Sequence, residues 1–470
     1  MPRSGLLKLV EASNDWPSRG KCMTSAVEQL AANLNFKSFA KADDLKKRIF
    51  FTLAVLVIYR LGTYIPLPGI NPEVIADFAR SNSGGIFGIL DMFSGGAIGR
   101  MTIFSLNILP YISASIIMQL MTSISPSLEA MKKEGEIGRR KINQYTRYLT
   151  VAITAAQAYG ISVGLESMSG GAAVIMPGIF FRLMTIITLV GGTLFIMWLG
   201  EQITARGIGN GISLIIYSGI VANLPQAIIN TLQLGRTGSL STIVIISILL
   251  LVAAVIYYIV FMEKAQRRIL VQYPKRQVSA NQPAMAQTSH LPLKLNSAGV
   301  IPPIFASALL LLPTTLVGFS GKIGEGIIGT VAQVFSHGHP VYIATYMSLI
   351  IFFAFFYTAV VFNPEETAEN LRKAGSYIPG IRPGKRTSEY LDYVLTRLTS
   401  VGSLYLASVC LLPELILAKV AVPFYLGGTS LLIVVSVTID TIGQVQSHLM
   451  AHQYEGLLKK TKVRGKPYKK

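Results

Sequence analysis

Charge is what this chain lacks. Only 14% of its 470 residues are Asp, Glu, Lys or Arg, against about 25% in soluble domains, and the mean hydropathy is +0.51. That excludes an ordinary soluble protein and marks an integral membrane protein. Acids are scarcer than bases, 23 against 42, and few ionisable residues fall within the apolar runs. Arg60, near the outer end of the first run, is expected to snorkel to the interface, and Asp440, near the inner end of the last, to cap or pair there. A proton-coupled carrier would place acids near mid-membrane. Two cysteines, Cys22 and Cys410, are too few and too far apart for a disulfide framework or a thiolate metal site. His448 and His452 are spaced i, i+4 but lack a carboxylate at metal-site spacing, so they read as surface histidines. From Gly380 to Thr387 the chain has three residues between its glycines and Arg386 after Lys385, where a phosphate loop needs four and then Ser or Thr. No catalytic group, metal or cofactor is expected. The first 48 residues hold no apolar signal-peptide core, so no cleavable signal is expected and the N-terminus is placed in the cytoplasm.

Apolar length, by contrast, is plentiful. Runs such as Thr242–Phe261 and Tyr342–Phe362 reach the roughly 20 residues needed to cross about 30 Å of hydrocarbon as a helix. Ten spans are read, at about 49–66, 102–123, 148–165, 179–199, 211–229, 241–261, 296–316, 341–362, 392–412 and 426–442. With an internal N-terminus, the cytoplasmic segments are 1–48, 124–147, 200–210, 262–295, 363–391 and the basic tail 443–470. Of the 42 Lys and Arg, Arg80, Arg100, Arg182, Arg236, Lys322 and Lys419 fall on the opposite side and Arg60 lies within the first span; the rest, with Arg397 placed at the cytoplasmic end of span nine, fall on the cytoplasmic side, as the charge rule for topology requires. The expected fold is therefore an all-α polytopic membrane protein of ten transmembrane helices. Its halves, 49–230 and 241–442, have five spans each, and an odd number per half forces opposite orientations, as in inverted-repeat transport folds.

The stretch from Ser83 to Met121 stands apart. A glycine-rich apolar piece leads into a polar span, suggesting a stopper followed by one wall of a pore. At 100° per residue Ser105, Ile108, Ile112, Ser115, Ile116 and Gln119 share an arc of about 100°. Such a face should line water or another protein segment, since unpaired polar groups are costly in hydrocarbon; alternatively, its serines simply allow close helix packing. The two longest cytoplasmic loops carry paired bases, Arg267-Arg268 with Lys275-Arg276, and Arg382 with Lys385-Arg386. They suit either docking of a partner or attraction to anionic lipid as topology signals. Arg382, held between Gly380 and Pro383-Gly384, presents a single guanidinium at a turn, as partner recognition would require.

Seven motifs, in order, carry a close resemblance to the SecY/Sec-alpha family, the channel subunits of the bacterial Sec protein translocase. They are Ile65-Pro66-Leu67-Pro68-Gly69-Ile70, Met92-Phe93-Ser94-Gly95-Gly96-Ala97, Pro110-Tyr111-Ile112-Ser113-Ala114-Ser115, Arg206-Gly207-Ile208-Gly209-Asn210-Gly211-Ile212-Ser213, Gly299-Val300-Ile301-Pro302, Gly380-Ile381-Arg382-Pro383-Gly384 and Gly427-Gly428-Thr429-Ser430. The resemblance implies an hourglass pore between the two halves, with a hydrophobic ring at Ile108, Ile112, Ile212, Ile216, Ile304 and Ile433. Physically, such a ring is a gasket that excludes water yet yields to a passing chain. It implies a plug at Ile86-Phe87-Gly88-Ile89-Leu90-Asp91-Met92-Phe93-Ser94-Gly95-Gly96-Ala97, whose glycines permit a short helix that swings away. It also implies that Arg267, Arg268, Lys275, Arg276 and Arg382 dock the motor ATPase SecA or the ribosome, whose rRNA suits their charge. SecE-like and SecG-like membrane subunits are expected companions.

The expected function is the central subunit of a passive protein-conducting channel of the bacterial inner membrane. It would thread unfolded preproteins across and release signal sequences and transmembrane segments sideways into lipid. A lateral gate is expected between spans two and seven: with Ile108, Ile112 and Ile116 directed inward, Ser113 points toward a flanking helix, and Leu312 lies on the outer half of span seven. The alternative is a secondary solute transporter, which would need convergent polar ligands at mid-membrane; a structural scaffold is disfavoured by the plug-like segment. Two features depart from the family pattern. Residues 1–22 match nothing in it, so Met23 is a candidate start, and Pro303 follows Pro302, so a more rigid kink is expected in span seven.

Overall fold

The computed structural model describes residues 43–81, 91, 94–167, 172–237, 241–272, 288–319, 340–417 and 428–464. Two compact units are present, one formed by residues 54–441 and the other by 1–53 with 442–470. Helices dominate: α1 Asp43–Gly62, α2 Pro72–Ser81, α3 Leu109–Ile124, α4 Pro126–Lys133, α5 Glu136–Ser167, α6 Ile179–Arg206, α7 Gly211–Arg236, α8 Thr242–Lys264, then β1 Gln266–Gln272 and β2 Thr288–Lys294, then α9 Ile301–Phe319, α10 Pro340–Val361, α11 Pro364–Lys373, α12 Lys385–Leu417 and α13 Gly428–Arg464. Seven of the described helices are long and apolar enough to cross a membrane. The chain is a multi-pass membrane protein. α1, α3 and α9 fall on the other three expected spans; α1 opens with Asp43 and Asp44, and α3 has only 16 residues.

The span-two helix is shorter than its apolar run. A helix was expected from residue 102, but α3 begins at Leu109, with Pro110 in its first turn. Left-handed backbone at Met101 (φ 43°) and Asn107 (φ 49°) encloses a set of turns. Their hydroxyls serve the local backbone: Ser105 Oγ donates to the carbonyls of Thr102 (2.5 Å) and Ala97 (3.1 Å), a competition with helix that serine and threonine win readily. Ser105 is therefore not part of the helical face expected for it. Span seven differs likewise. α9 starts at Ile301, so Pro302 and Pro303 occupy its first turn, where no intrahelical N–H is needed.

Other helices outrun their expected spans. α5 has 32 residues and α12 has 33, extending into the loops expected to be cytoplasmic. Loop 262–295 also holds an antiparallel hairpin, β1 on β2, with Ile269 opposite Leu291. Ile269 and Leu293 bury against Ile378, Leu391 and Val394, and Gln272 exchanges two backbone hydrogen bonds with Tyr377 (2.9 and 3.0 Å). The two basic loops thus share one core. Leu67, Ile70 and Ile75 pack on Ile161, Leu165, Phe181 and Leu189 of α5 and α6. α9 packs on α10 and also on α3 and α5, which joins the first-half helices to the second-half ones.

Candidate functional site

Four separated parts of the chain converge on one small cavity. The turn before α3 and α3 itself contribute Asn107, Ile108, Leu109 and Ile112, α7 contributes Ile216, α9 contributes Ile304 and Ser307, and α13 contributes Ile433. The space a water molecule can enter is about 20 Å³, room for roughly one. Ile108 and Ile433 are each 1% exposed. Their β-branched side chains have few rotamers, so the closure is stiff, and no lining residue carries a charge. An ion there would lose its hydration without gaining a charged partner.

Five of the six isoleucines named from the family resemblance are thus brought together. Ile212 is not among the lining residues. Its side chain lies against Gly200, where an added Cβ would meet it at 3.3 Å; the start of α7 is drawn onto α6 there, since a Cβ on Gly211 would collide with the Gly200 carbonyl. Asn210 caps α7 by accepting from the Ile212 N–H (3.2 Å), a satisfied helix terminus of ordinary type.

Of the expected plug, only Asp91 and Ser94-Gly95-Gly96-Ala97 lie within the described residues; Ile86 to Leu90, Met92 and Phe93 lie outside them. The described part is a compact knot. Asp91 accepts from the Gly99 N–H at its carboxylate (2.6 Å) and from the Gly96 N–H at its carbonyl (2.8 Å). Burial pushes the Asp91 carboxyl above its ordinary value, while the Gly99 N–H opposes this. Arg60 does not simply snorkel: its Nη1 donates to the Gly95 carbonyl (2.7 Å). Arg100 Nε donates to the next carbonyl, that of Gly96 (3.0 Å). Sequence reasoning reads Arg60 and Arg100 only as interface and topology residues and does not single out Tyr64, their shared neighbour.

Along the expected gate, Ser113 and Ile116 are both buried. Ile116 is not among the residues lining the cavity. α9 lies against both α3 and α5. Leu312 belongs to α9, but its side chain is outside the described residues.

Among the docking candidates, Arg267 and Arg268 are exposed on β1, whose Ile269 and Val271 turn inward. Arg382 is exposed at a tip bounded by left-handed Gly380 (φ 83°) and Gly384 (φ 103°). Thr387 Oγ1 donates to its carbonyl (2.9 Å). Arg382, Arg386, Glu389, Tyr390 and Tyr393 line an open concavity of about 680 Å³. Lys275 and Arg276 lie outside the described residues. Cys410 is buried, His448 is exposed, and Asp440 pairs with Lys294 (3.8 Å). Among the described residues no three His, Cys, Asp or Glu lie together as metal ligands would.

The family model for SecY matches residues 102–442. A protein translocase subunit SecY of Rickettsia bellii is 54% identical over 434 residues, covering 92% of this chain and 100% of that one. The counterpart from Escherichia coli K12 is 51% identical over 424 residues, 90% of this chain and 96% of that one. The fold resembles a solved protein-conducting channel with a TM-score of 0.61 at 18% identity, covering 86% of this chain and 92% of the other. It also resembles a SecY structure described by a plug domain that stabilises the closed state and maintains a membrane seal, with a TM-score of 0.59 at 19% identity and the same coverage.

Proposed function

Because the chain belongs to the SecY family, we propose that it is the central, channel-forming subunit of a protein translocase, which passes unfolded secretory proteins across a membrane and releases apolar segments into lipid. The observation that carries this reading is the uncharged isoleucine closure drawn from both halves of the chain. A solute carrier needs convergent polar ligands at that depth, and here the lining offers only Asn107 and Ser307 among aliphatic side chains. Ile108, Ile112, Ile216, Ile304 and Ile433 form the seal, with Ile212 one turn away beside Gly200. The segment 86–97 is the plug. The lateral exit lies where α9 meets α3 and α5, with Ser113, Ile116 and Leu312 along it.

The channel supplies no energy. A motor of the SecA class or a translating ribosome drives the chain through it, docking on the platform that carries Arg267, Arg268, Lys275, Arg276 and Arg382. Solved neighbours include Sec61 in a canine ribosome–channel complex and a yeast Ssh1 complex bound to the 80S ribosome, which supports the ribosome as one partner. SecE-like and SecG-like subunits complete the complex in the bacterial inner membrane. Both termini are cytoplasmic, as the distribution of Lys and Arg favours. Each half contributes five spans in inverted orientation.

The test is translocation into proteoliposomes holding the protein, its small subunits, a motor, ATP and a preprotein. Protease-protected preprotein is expected with the channel and none without it. Uptake of small solutes in place of preprotein would overturn the reading.

A further inference from the structure

We propose that Arg60, Arg100 and Tyr64 form a clasp on the root of the plug, and that this clasp sets how often the unloaded channel opens. The inference rests on the channel reading above. Two consecutive carbonyls, those of Gly95 and Gly96, each accept from a guanidinium, at 2.7 Å from Arg60 and 3.0 Å from Arg100. Both arginines also lie over the ring of Tyr64, with their Cζ atoms 5.5 Å and 4.2 Å from its centroid. A single aromatic ring therefore steadies both cations.

The glycines are what make this approach possible. Both are left-handed, at φ 69° and 85°, which a side chain would resist. A Cβ on Gly95 would also come within 2.6 Å of Arg60 Nη1 and 3.0 Å of the Gly219 backbone on α7. The grip falls on main-chain atoms, so it holds the segment whatever side chains the plug carries. It also ties three elements to one knot: α1 through Arg60, α7 through Gly219, and the turns before α3 through Ala97, whose carbonyl receives the Thr102 N–H (3.0 Å). Hydrogen bonds from charged donors are about twice as strong as neutral ones. Releasing one should shift the balance between seated and unseated plug by about tenfold.

Resting current through the reconstituted protein in planar bilayers reads this balance. Arg60→Gln, Arg100→Gln and Tyr64→Leu should each raise the frequency of openings about tenfold. With a preprotein arrested in the pore, all three should conduct as the parent does, because the clasp acts only on the seated plug. Parent-like resting current in both arginine variants, alongside leak from an Ile112→Ser, Ile304→Ser control, overturns the clasp and leaves the channel reading intact. Silence in that control as well counts against the seal, and the clasp falls with it. Altered current in the loaded state would mean that the arginines hold the fold in general, and overturns the proposal.

Discussion

A guanidinium at a loop tip, with its stem braced by a turn, is a recognition group that costs the fold nothing to alter. Arg382 is such a group: exposed and bounded by left-handed glycines, with its carbonyl rather than its guanidinium held by Thr387. Arg382→Glu should abolish motor-driven export while insertion and folding stay at parental levels, because it reverses the charge a partner would meet. Protease-protected preprotein in motor-containing vesicles checks this, and near-parental export by the variant would remove the arginine from the docking site. The isoleucines are the opposite case, since their chemistry lies in having no partner. Serine at positions 112 and 304 lets water remain in a space that now admits about one molecule. Resting conductance should rise severalfold; a double variant as silent as the parent would place the seal elsewhere.

Elements show what composition can and cannot announce. α8 is legible from its apolar length alone, whereas α11, capped by Asn363 accepting from the Glu365 and Glu366 N–H groups (3.0 and 3.3 Å), lies in a segment that the sequence presents only as a loop. The neighbouring glycines of α6 predict opposite outcomes on one helix. A Cβ on Gly192 would collide with the Ile103 carbonyl, while one on Gly191 meets nothing within 4 Å. Gly192→Ala should lose about 1–3 kcal/mol by overpacking, and Gly191→Ala should gain up to about 1 kcal/mol from helix propensity. Thermal unfolding in detergent reads both; equal shifts would mean that α6 and the Ile103 turn are not in close contact. What periodicity missed is instructive. The arc from Ser105 to Gln119 assumed a helix through residues 102–108, where serine and threonine hydroxyls instead bond the local backbone. The grip of Arg60 on Gly95 joins residues 35 apart through a carbonyl, and backbone acceptors leave no mark in a sequence. The hairpin stayed hidden because half of its core belongs to the loop that carries Arg382.

At the scale of the whole molecule, what matters is where the two halves can part. The sequence yields two sets of five spans by count, and the ring positions from the family resemblance, with the helical face of span two, point to a seam between spans two and seven. α9 meets α3 and α5 and carries Ile304 into the closure, so moving α9 outward would open the pore and its side together. Each Leu, Ile, Phe or Val of a signal sequence gains roughly 0.3–0.6 kcal/mol on entering hydrocarbon; ten such residues favour partition once the seam is open, with no further energy input. Cysteines at Ser113 and at successive positions from Ile304 to Leu312 should include at least one pair that crosslinks. That staple should block export and membrane insertion alike, and a reductant should restore both. If every crosslinked pair exported preprotein at the parental rate, the sideways exit would have to lie between other helices.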